Sequence, residues 1–349
     1  MTLHRINRLQ DSIEAGQIVY ITNLTNIRYL TGFTGSNAAL MVSDVDATLA
    51  TDSRYEIQVR KQVPDLETVI GRNFPELLLR STKKSEVVVE GAHLSVSAYQ
   101  SLVTTFEHKF TTSIGLVETL RVTKDDSEVA LIRAAAEIAT NAFQETVKTI
   151  KPGQTEKSIR NSLEVRMREL GADDVAFETI VASGPNSATP HHEPTDREIS
   201  NGDLLKIDFG AKVDGYHSDC TRTLIVGKPA QWQIDLHSAV SGAQAAGREL
   251  IHEGIQYKAV EDEVRRSLSD SGYEKYFTHG LGHGVGLEIH EEPFFGRTGD
   301  AKIATNTVVT IEPGAYLQSK GGVRVEDTIV VGSQGYENLT NLPYELIEL

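Results

Sequence analysis

Between Ser127 and Ile150 apolar residues recur every three or four positions, with Val129, Ile132, Ala136, Ala139 and Phe143 on one stripe. That period predicts an amphipathic helix over 127–150. Asp126 or Ser127 is placed to cap it, and Lys151-Pro152-Gly153 stops it. A second helix is predicted over 156–170, ended by Gly171. A further pair is predicted over 239–255 and 258–272, ended by Gly272. Strand-like sequence follows each pair: 178–184, 204–213 and 216–226 after the first, then 278–286, 307–317 and 323–332 after the second. The order helix, helix, strands occurs twice. This suggests an internal duplication whose halves enclose one site.

The first third reads differently. Residues 17–22, 38–43, 47–51 and 85–90 are short apolar runs, rich in β-branched residues and bounded by polar or glycine clusters, and are predicted strands. Residues 52–63 and 95–108 are predicted helices between them. Residues 26–38, Asn-Ile-Arg-Tyr-Leu-Thr-Gly-Phe-Thr-Gly-Ser-Asn-Ala, read as a connection too polar for the core, either a surface loop or one that approaches a ligand. The boundary falls within 111–126. Two domains are therefore expected, an α/β unit over 1–118 and an α+β unit over 119–349.

Composition narrows the function. With 39% hydrophobic and 24% charged residues in 349, the chain has the profile of a soluble globular protein. Its net charge of −15 argues against nucleic acid, since phosphate binding needs a basic stripe. The single cysteine, Cys220, forbids an intrachain disulfide and fits a reducing compartment. The first residues lack the apolar segment of a secretory signal. No apolar run is long enough to span a membrane. A cytoplasmic location with no membrane partner is the expectation.

The strand 204–209 alternates, with Leu205, Ile207 and Phe209 on one face and Lys206 and Asp208 on the other. A charge on an inner sheet face is costly unless paired or metal-bound. Asp214-Gly215 then signals a type I′ hairpin. That turn sets Asp208 opposite Thr221, puts Asp219 on the same face two residues away, and turns Cys220 to the other face. In the second half Glu312 ends a strand before Pro313-Gly314, and Arg324 and Glu326 share one face of the next. Between the halves lies Phe-Thr-His-Gly-Leu-Gly-His-Gly-Val-Gly-Leu-Glu-Ile-His, residues 277–290, with three glycine-spaced histidines. Four sheet-borne carboxylates and an imidazole fit two divalent cations. Carboxylates on exposed strands account for the same spacing.

The blocks Ile207-Asp-Phe-Gly210, Ser218-Asp-Cys-Thr-Arg-Thr223, residues 279–293, Ile311-Glu-Pro-Gly314 and Val323-Arg-Val-Glu-Asp-Thr328 resemble, in order, the five signature blocks of the pita-bread metallopeptidases. That is the family of methionine aminopeptidase, aminopeptidase P and prolidase. The resemblance covers about 120–345, and residues 182–199 resemble the proline-specific branch. The first domain resembles that branch's creatinase-like domain.

The resemblance implies a pita-bread fold with a pseudo-two-fold axis and five metal ligands: Asp208, Asp219, His283, Glu312 and Glu326. It implies that His290 meets the substrate carbonyl, that His191 rather than His192 lies beside the scissile bond, and that Glu312 also accepts a proton. His279 is expected to support the loop, and Arg324 to orient Glu326 or bind a substrate carboxylate. The implied reaction is hydrolysis of an Xaa-Pro bond by a water-derived hydroxide at two divalent ions, Mn²⁺ first, Co²⁺ or Zn²⁺ otherwise. An aminopeptidase acting on peptides with proline second is the leading expectation, and a dipeptidase the alternative. A non-catalytic peptide-binding protein ranks below both. A homodimer is expected.

Overall fold

The β-branched runs of the first third pair into one sheet. In a computed structural model, which describes every residue except 1, 81, 84, 85 and 297–299, the chain divides into two compact units, 1–121 and 122–349. The first contains α1 (Thr2–Gln10), β1 (Gln17–Ile21), α2 (Leu24–Thr31), β2 (Ala38–Ser43), β3 (Ala47–Thr51), α3 (Glu56–Gln62), β4 (Glu67–Ile70), α4 (Phe74–Leu79), β5 (Glu86–Glu90), α5 (Val96–Thr105), β6 (Lys109–Ser113) and α6 (Glu118–Val122). Ser85, at the start of one predicted strand, lies outside the described residues. The strand order is β4-β3-β2-β1-β5-β6, antiparallel between β1, β2 and β3 and parallel elsewhere. Ile18, Tyr20, Ala39, Ala50, Val87 and Val89 supply sheet side chains to its core.

One expectation fails here. Residues 26–31 are not loop but most of α2, and Ile27, Tyr29 and Leu30 are buried. Their polar neighbours do not keep them at the surface, because partners are provided. Asn26 Nδ2 donates to Glu90 Oε1 and Glu118 Oε1, and Thr31 Oγ1 donates to the Ile27 carbonyl. The helix ends where Gly32 takes φ 75°, a left-handed conformation glycine adopts without strain.

The second unit begins with α7 (Asp126–Val147) and α8 (Glu156–Glu169), then β7 (Asp174–Val175), β8 (Ile180–Ser183), β9 (Leu204–Phe209), β10 (Ala211–Val213), β11 (Tyr216–His217) and β12 (Cys220–Ile225). It continues with α9 (Gln231–Leu250) and α10 (Tyr257–Asp270), then β13 (His283–Gly284), β14 (Glu291–Phe294), β15 (Val308–Ile311), β16 (Gly314–Leu317), β17 (Gly321–Arg324), β18 (Asp327–Gly332) and β19 (Gly335–Asn338). The repeated helix–helix–strands order is present. The cap of α7 is Asp125, not Asp126 or Ser127. Its carboxylate accepts from the backbone N–H groups of Ser127 and Glu128, and Glu128 returns a bond to the Asp125 N–H. Helix α9 starts earlier than predicted, because Leu236 extends the buried stripe of Val240 and Ala243 towards the N-terminus. Of the strand-like stretch 278–286 only His283–Gly284 pairs.

Each half has its own core. Phe143, Ile159, Leu163, Ile207 and Phe209 pack in one, and Val240, Val260, Val264, Ile311 and Ile329 in the other. The sheets meet along Thr221 and Glu326, where the Glu326 N–H donates to the Thr221 carbonyl at 3.1 Å. That seam carries the polar inner faces of both halves.

Candidate active site

The hairpin 211–217 sets the first two carboxylates. Asp214 and Gly215 have φ 42° and 76°, so both turn residues are left-handed, as a two-residue I′ turn requires. Val213 pairs with Tyr216, and the register continues through Asp208 opposite Thr221. Asp208 and Asp219 therefore face the seam, while Cys220 is buried with Leu205 and Phe209 on the other side. Burial pushes the Cys220 thiol well up, and it is no nucleophile.

In the other half Ile311 pairs with Asp327. One residue further in that register, Glu312 stands opposite Glu326. His283 comes from the glycine-spaced loop, which lies flat against its neighbours. A Cβ at Gly282 would collide with the Thr310 carbonyl, and one at Gly284 with the Glu292 carbonyl. Thr310 fixes the arrangement, its Oγ1 accepting from the His283 N–H at 3.1 Å and donating to Glu312 Oε1 at 3.2 Å.

The five side chains converge. His283 Nε2 lies 3.6 Å from Asp219 Oδ2 and 3.4 Å from Glu312 Oε1. Asp219, His283 and Glu326 offer ligand atoms all within 4.8 Å of one another. Asp208 and Asp219 each keep a buried Oδ1 with no hydrogen-bond partner. His283 Nδ1 faces the Gly284 carbonyl at 3.0 Å. Donating there leaves Nε2 as a free lone pair towards the carboxylates.

Electrostatically the cluster calls for positive charge. Burial, then repulsion from Glu326, Asp208 and Glu312, drives the Asp219 carboxyl well up. Burial, then Glu312 and Asp208, does the same to Glu326. Burial lifts Glu312 to about 7, against the pull of Arg324. Burial, then His290, holds His283 down at about 4, so its imidazole is neutral, the form that ligates. Orphaned carboxylate oxygens, a neutral imidazole and uncompensated repulsion together fit divalent cations.

The remaining predicted residues surround this centre. The His290 ring lies 4.4 Å, centroid to centroid, from that of His283. His279 turns aside, Nε2 to Tyr316 Oη at 2.9 Å and Nδ1 to the Gly280 carbonyl at 2.8 Å. Arg324 is 2% exposed and pairs with Asp208. It also donates to Thr221 Oγ1, Tyr316 Oη and the Pro190 carbonyl. It reaches Glu326 only through Thr221, whose Oγ1 donates to Glu326 Oε2 at 2.6 Å. His191 lines the cleft and makes no hydrogen bond among the described residues, whereas His192 Nε2 meets Glu156 Oε2 at 2.8 Å. The cleft holds about 660 Å³, with Phe177, Ile180, Pro194 and Phe294 among its apolar lining.

Sequence reading missed Thr310, Tyr316 and Glu156. Thr310 was within reach, since it lies two residues before Glu312 on the same strand face. Glu156 gave no signal beyond that of an acidic residue in a first helical turn.

Residues 130–333 match metallopeptidase family M24, and residues 5–123 match the creatinase/prolidase N-terminal domain. The chain belongs to metallopeptidase family M24. An Xaa-Pro dipeptidase of Pyrococcus furiosus is 33% identical over 98% of this chain and 99% of its own length. The solved Xaa-Pro dipeptidase from Bacillus anthracis superposes with a TM-score of 0.97 at 36% identity, covering 100% of both chains. The X-Pro aminopeptidase from Thermotoga maritima does so with 0.90 at 36% identity, over 98% of this chain and 100% of that one. The M24 fold here is the pita-bread domain, preceded by a creatinase-type N-terminal domain. Membership implies divalent metal ions and a peptide substrate. Among the described residues no helix is long and apolar enough to cross a membrane.

Proposed function

We propose that this chain hydrolyses Xaa-Pro bonds, with dipeptides as its main substrates. The leading expectation from sequence was an aminopeptidase acting on longer peptides. The names of the relatives weigh towards the dipeptidase alternative, which the Pyrococcus furiosus and Bacillus anthracis proteins carry. The observation that supports hydrolysis most is the convergence of Asp208, Asp219, His283, Glu312 and Glu326 with two buried carboxylate oxygens left unpartnered.

These five side chains are the proposed ligands of two divalent ions. An oxygen-rich set with one imidazole favours Mn²⁺, with Co²⁺ or Zn²⁺ as alternatives. Bound cations would supply Lewis acidity, polarising the scissile carbonyl and acidifying water. The protein's own groups do the rest. Glu312 Oε1, oriented by Thr310, takes the proton that the attacking water gives up and returns it to the departing nitrogen. His290 donates to the oxygen that becomes negative as the carbonyl is attacked. Its pKa is lowered, by burial first and then by His191, so it reaches that task as a neutral donor. His191, held free in the cleft, hydrogen-bonds beside the departing nitrogen. Proline offers no N–H there, so apolar walls such as Phe177 and Phe294 must recognise its ring by shape. A homodimer in the cytoplasm completes the reading. An intact donor set weighs against a non-catalytic peptide-binding role.

The experiment compares Ala-Pro with Ala-Pro-Ala, on protein stripped of metal and reloaded with Mn²⁺ or Co²⁺. Faster turnover of Ala-Pro is expected. Faster turnover of Ala-Pro-Ala would restore the aminopeptidase reading, and no turnover of either would end the catalytic one.

A further inference from the structure

His191 is the one residue of the cleft wall between Pro190 and His192 whose side chain has no hydrogen-bond partner among the described residues, yet both its neighbours are pinned. Arg324 Nη1 reaches the Pro190 carbonyl at 3.3 Å, and two further pins are buried titratable side chains outside the ligand set. Glu156, at the first position of α8, is 0% exposed. Its Oε1 accepts from the Ser183 N–H at 2.8 Å, Ser183 Oγ at 2.7 Å and Asn186 Nδ2 at 3.0 Å. Its Oε2 accepts from the Thr195 N–H at 2.9 Å and Thr195 Oγ1 at 2.7 Å, and meets His192 Nε2 at 2.8 Å. Six contacts saturate the carboxylate. They clasp both ends of the segment 183–195 and the residue just after His191. From the other side Lys206, also 0% exposed, donates Nζ to the carbonyls of Thr189 at 2.6 Å and Pro190 at 3.1 Å.

A buried carboxylate and a buried lysine amino group are costly to place unless their hydrogen bonds are made. Here both are spent on one irregular segment. Neither touches the proposed metal ligands through a hydrogen bond. The fold could bury apolar side chains at these two positions, but apolar groups would not fix carbonyl and N–H directions along a stretch with little regular structure of its own.

We infer that Glu156 and Lys206 are positioning residues that hold the segment 183–195 so that His191 stands in the cleft at the place the reaction needs it. The inference rests on the Xaa-Pro hydrolase reading. Loss of either pin lets His191 sample other positions, and a displacement of about 1 Å is enough to lower a rate by a hundredfold. Glu156→Gln sets an NH₂ group against donors. Lys206→Met keeps the length and removes the Nζ donor to the Thr189 and Pro190 carbonyls.

The test is a double-mutant cycle on Ala-Pro hydrolysis, with metal content measured in every variant. Wild-type turnover checks the functional reading separately. Glu156→Gln and Lys206→Met are each expected to lower kcat by about tenfold or more with wild-type metal content. In a His191→Ala background each is expected to change kcat by less than about twofold, because the group they position is gone. An undiminished loss in that background, or metal lost in proportion to activity, would overturn the inference.

A second measurement needs no turnover. Thr195→Val removes one of the six contacts to Glu156 and spares the other five. In metal-free protein labelled with ¹³C-histidine, this change is expected to shift the His191 and His192 ring signals and leave His108 and His252 in place. A fixed His191 signal would overturn the inference, whatever the activity assays give.

Discussion

The guanidinium of Arg324 lies against the carboxylate of Asp208, joining β17 of one half to β9 of the other inside the cleft. Both residues are buried, and the same guanidinium reaches Thr221 and Tyr316. Arg324→Met leaves Asp208 buried and unpaired. Removing one partner of a buried pair costs about 3–5 kcal/mol. Arg324→Lys retains the charge but not the fork, so it should recover less than half of that loss. Urea unfolding of the metal-free protein checks both, and unchanged midpoints would refute the pairing.

Lys124 and Glu291 form a second buried pair, at 2.7 Å with side chains 1% and 4% exposed. Glu291 follows His290 directly and its Oε2 accepts from the Glu288 N–H, so it steadies the loop that carries His290. Lys124→Met should destabilise by about 3–5 kcal/mol. It should also lower kcat more than it raises KM, because the histidine it steadies acts at the reacting carbonyl. A variant as stable and active as the parent would remove this role.

How much of this site was legible follows from where each partner lies along the chain. Asp208, Asp219 and Cys220 were placed correctly from alternation and one turn, since a two-residue I′ hairpin leaves no freedom of register. Glu312 and Glu326 flank a hairpin and could be read in the same way. The helix α2 was hidden because Asn26 and Thr31 look like surface residues, and the acceptors of Asn26, Glu90 and Glu118, lie 64 and 92 residues on. Glu156 was hidden for the same reason, its donors lying 27 to 39 residues away. Local periodicity reports which face is apolar. It carries no information on which distant group will satisfy a buried polar atom.

Two groups outside the ligand cluster, His237 and Glu156, should each lose stabilising free energy in acid. Burial pushes His237 down to about 4 from 6.5, with Arg222 adding to it. The unfolded chain therefore takes up that proton first, and stability falls as pH drops from 6.5 towards 4. Burial raises Glu156, but donors from Asn186, His192, Ser183 and Thr195 outweigh it and hold the carboxyl at about 2 against 4.5. Its contribution, on the order of 3 kcal/mol, is present above 4.5 and lost as pH falls towards 2. Glu156→Gln should flatten the urea-midpoint profile below pH 4.5 relative to wild type, because the raised carboxyls of Asp219, Glu312 and Glu326 and the lowered His237 are common to both proteins. A profile for Glu156→Gln as steep as wild type would contradict the assignment.

Metal removal should loosen the seam between the halves. Without cations, Asp208, Asp219, Glu312 and Glu326 repel one another across it. A ligand bound only to the folded state at 100 times its Kd stabilises by about 2.7 kcal/mol. Chelated protein should therefore melt several degrees below Mn²⁺-loaded protein, with faster amide exchange at 219–221 and 325–327. Equal melting temperatures would mean that the cations do not bind there.

The most direct measurement is made on Asp219→Asn, in which one oxygen of a central carboxylate becomes an amide at unchanged shape. Bound metal by elemental analysis and Ala-Pro turnover are read on the same sample. Loss of bound metal and of turnover together is the predicted result. Full metal occupancy with wild-type turnover would contradict the claim that these five side chains are the metal centre.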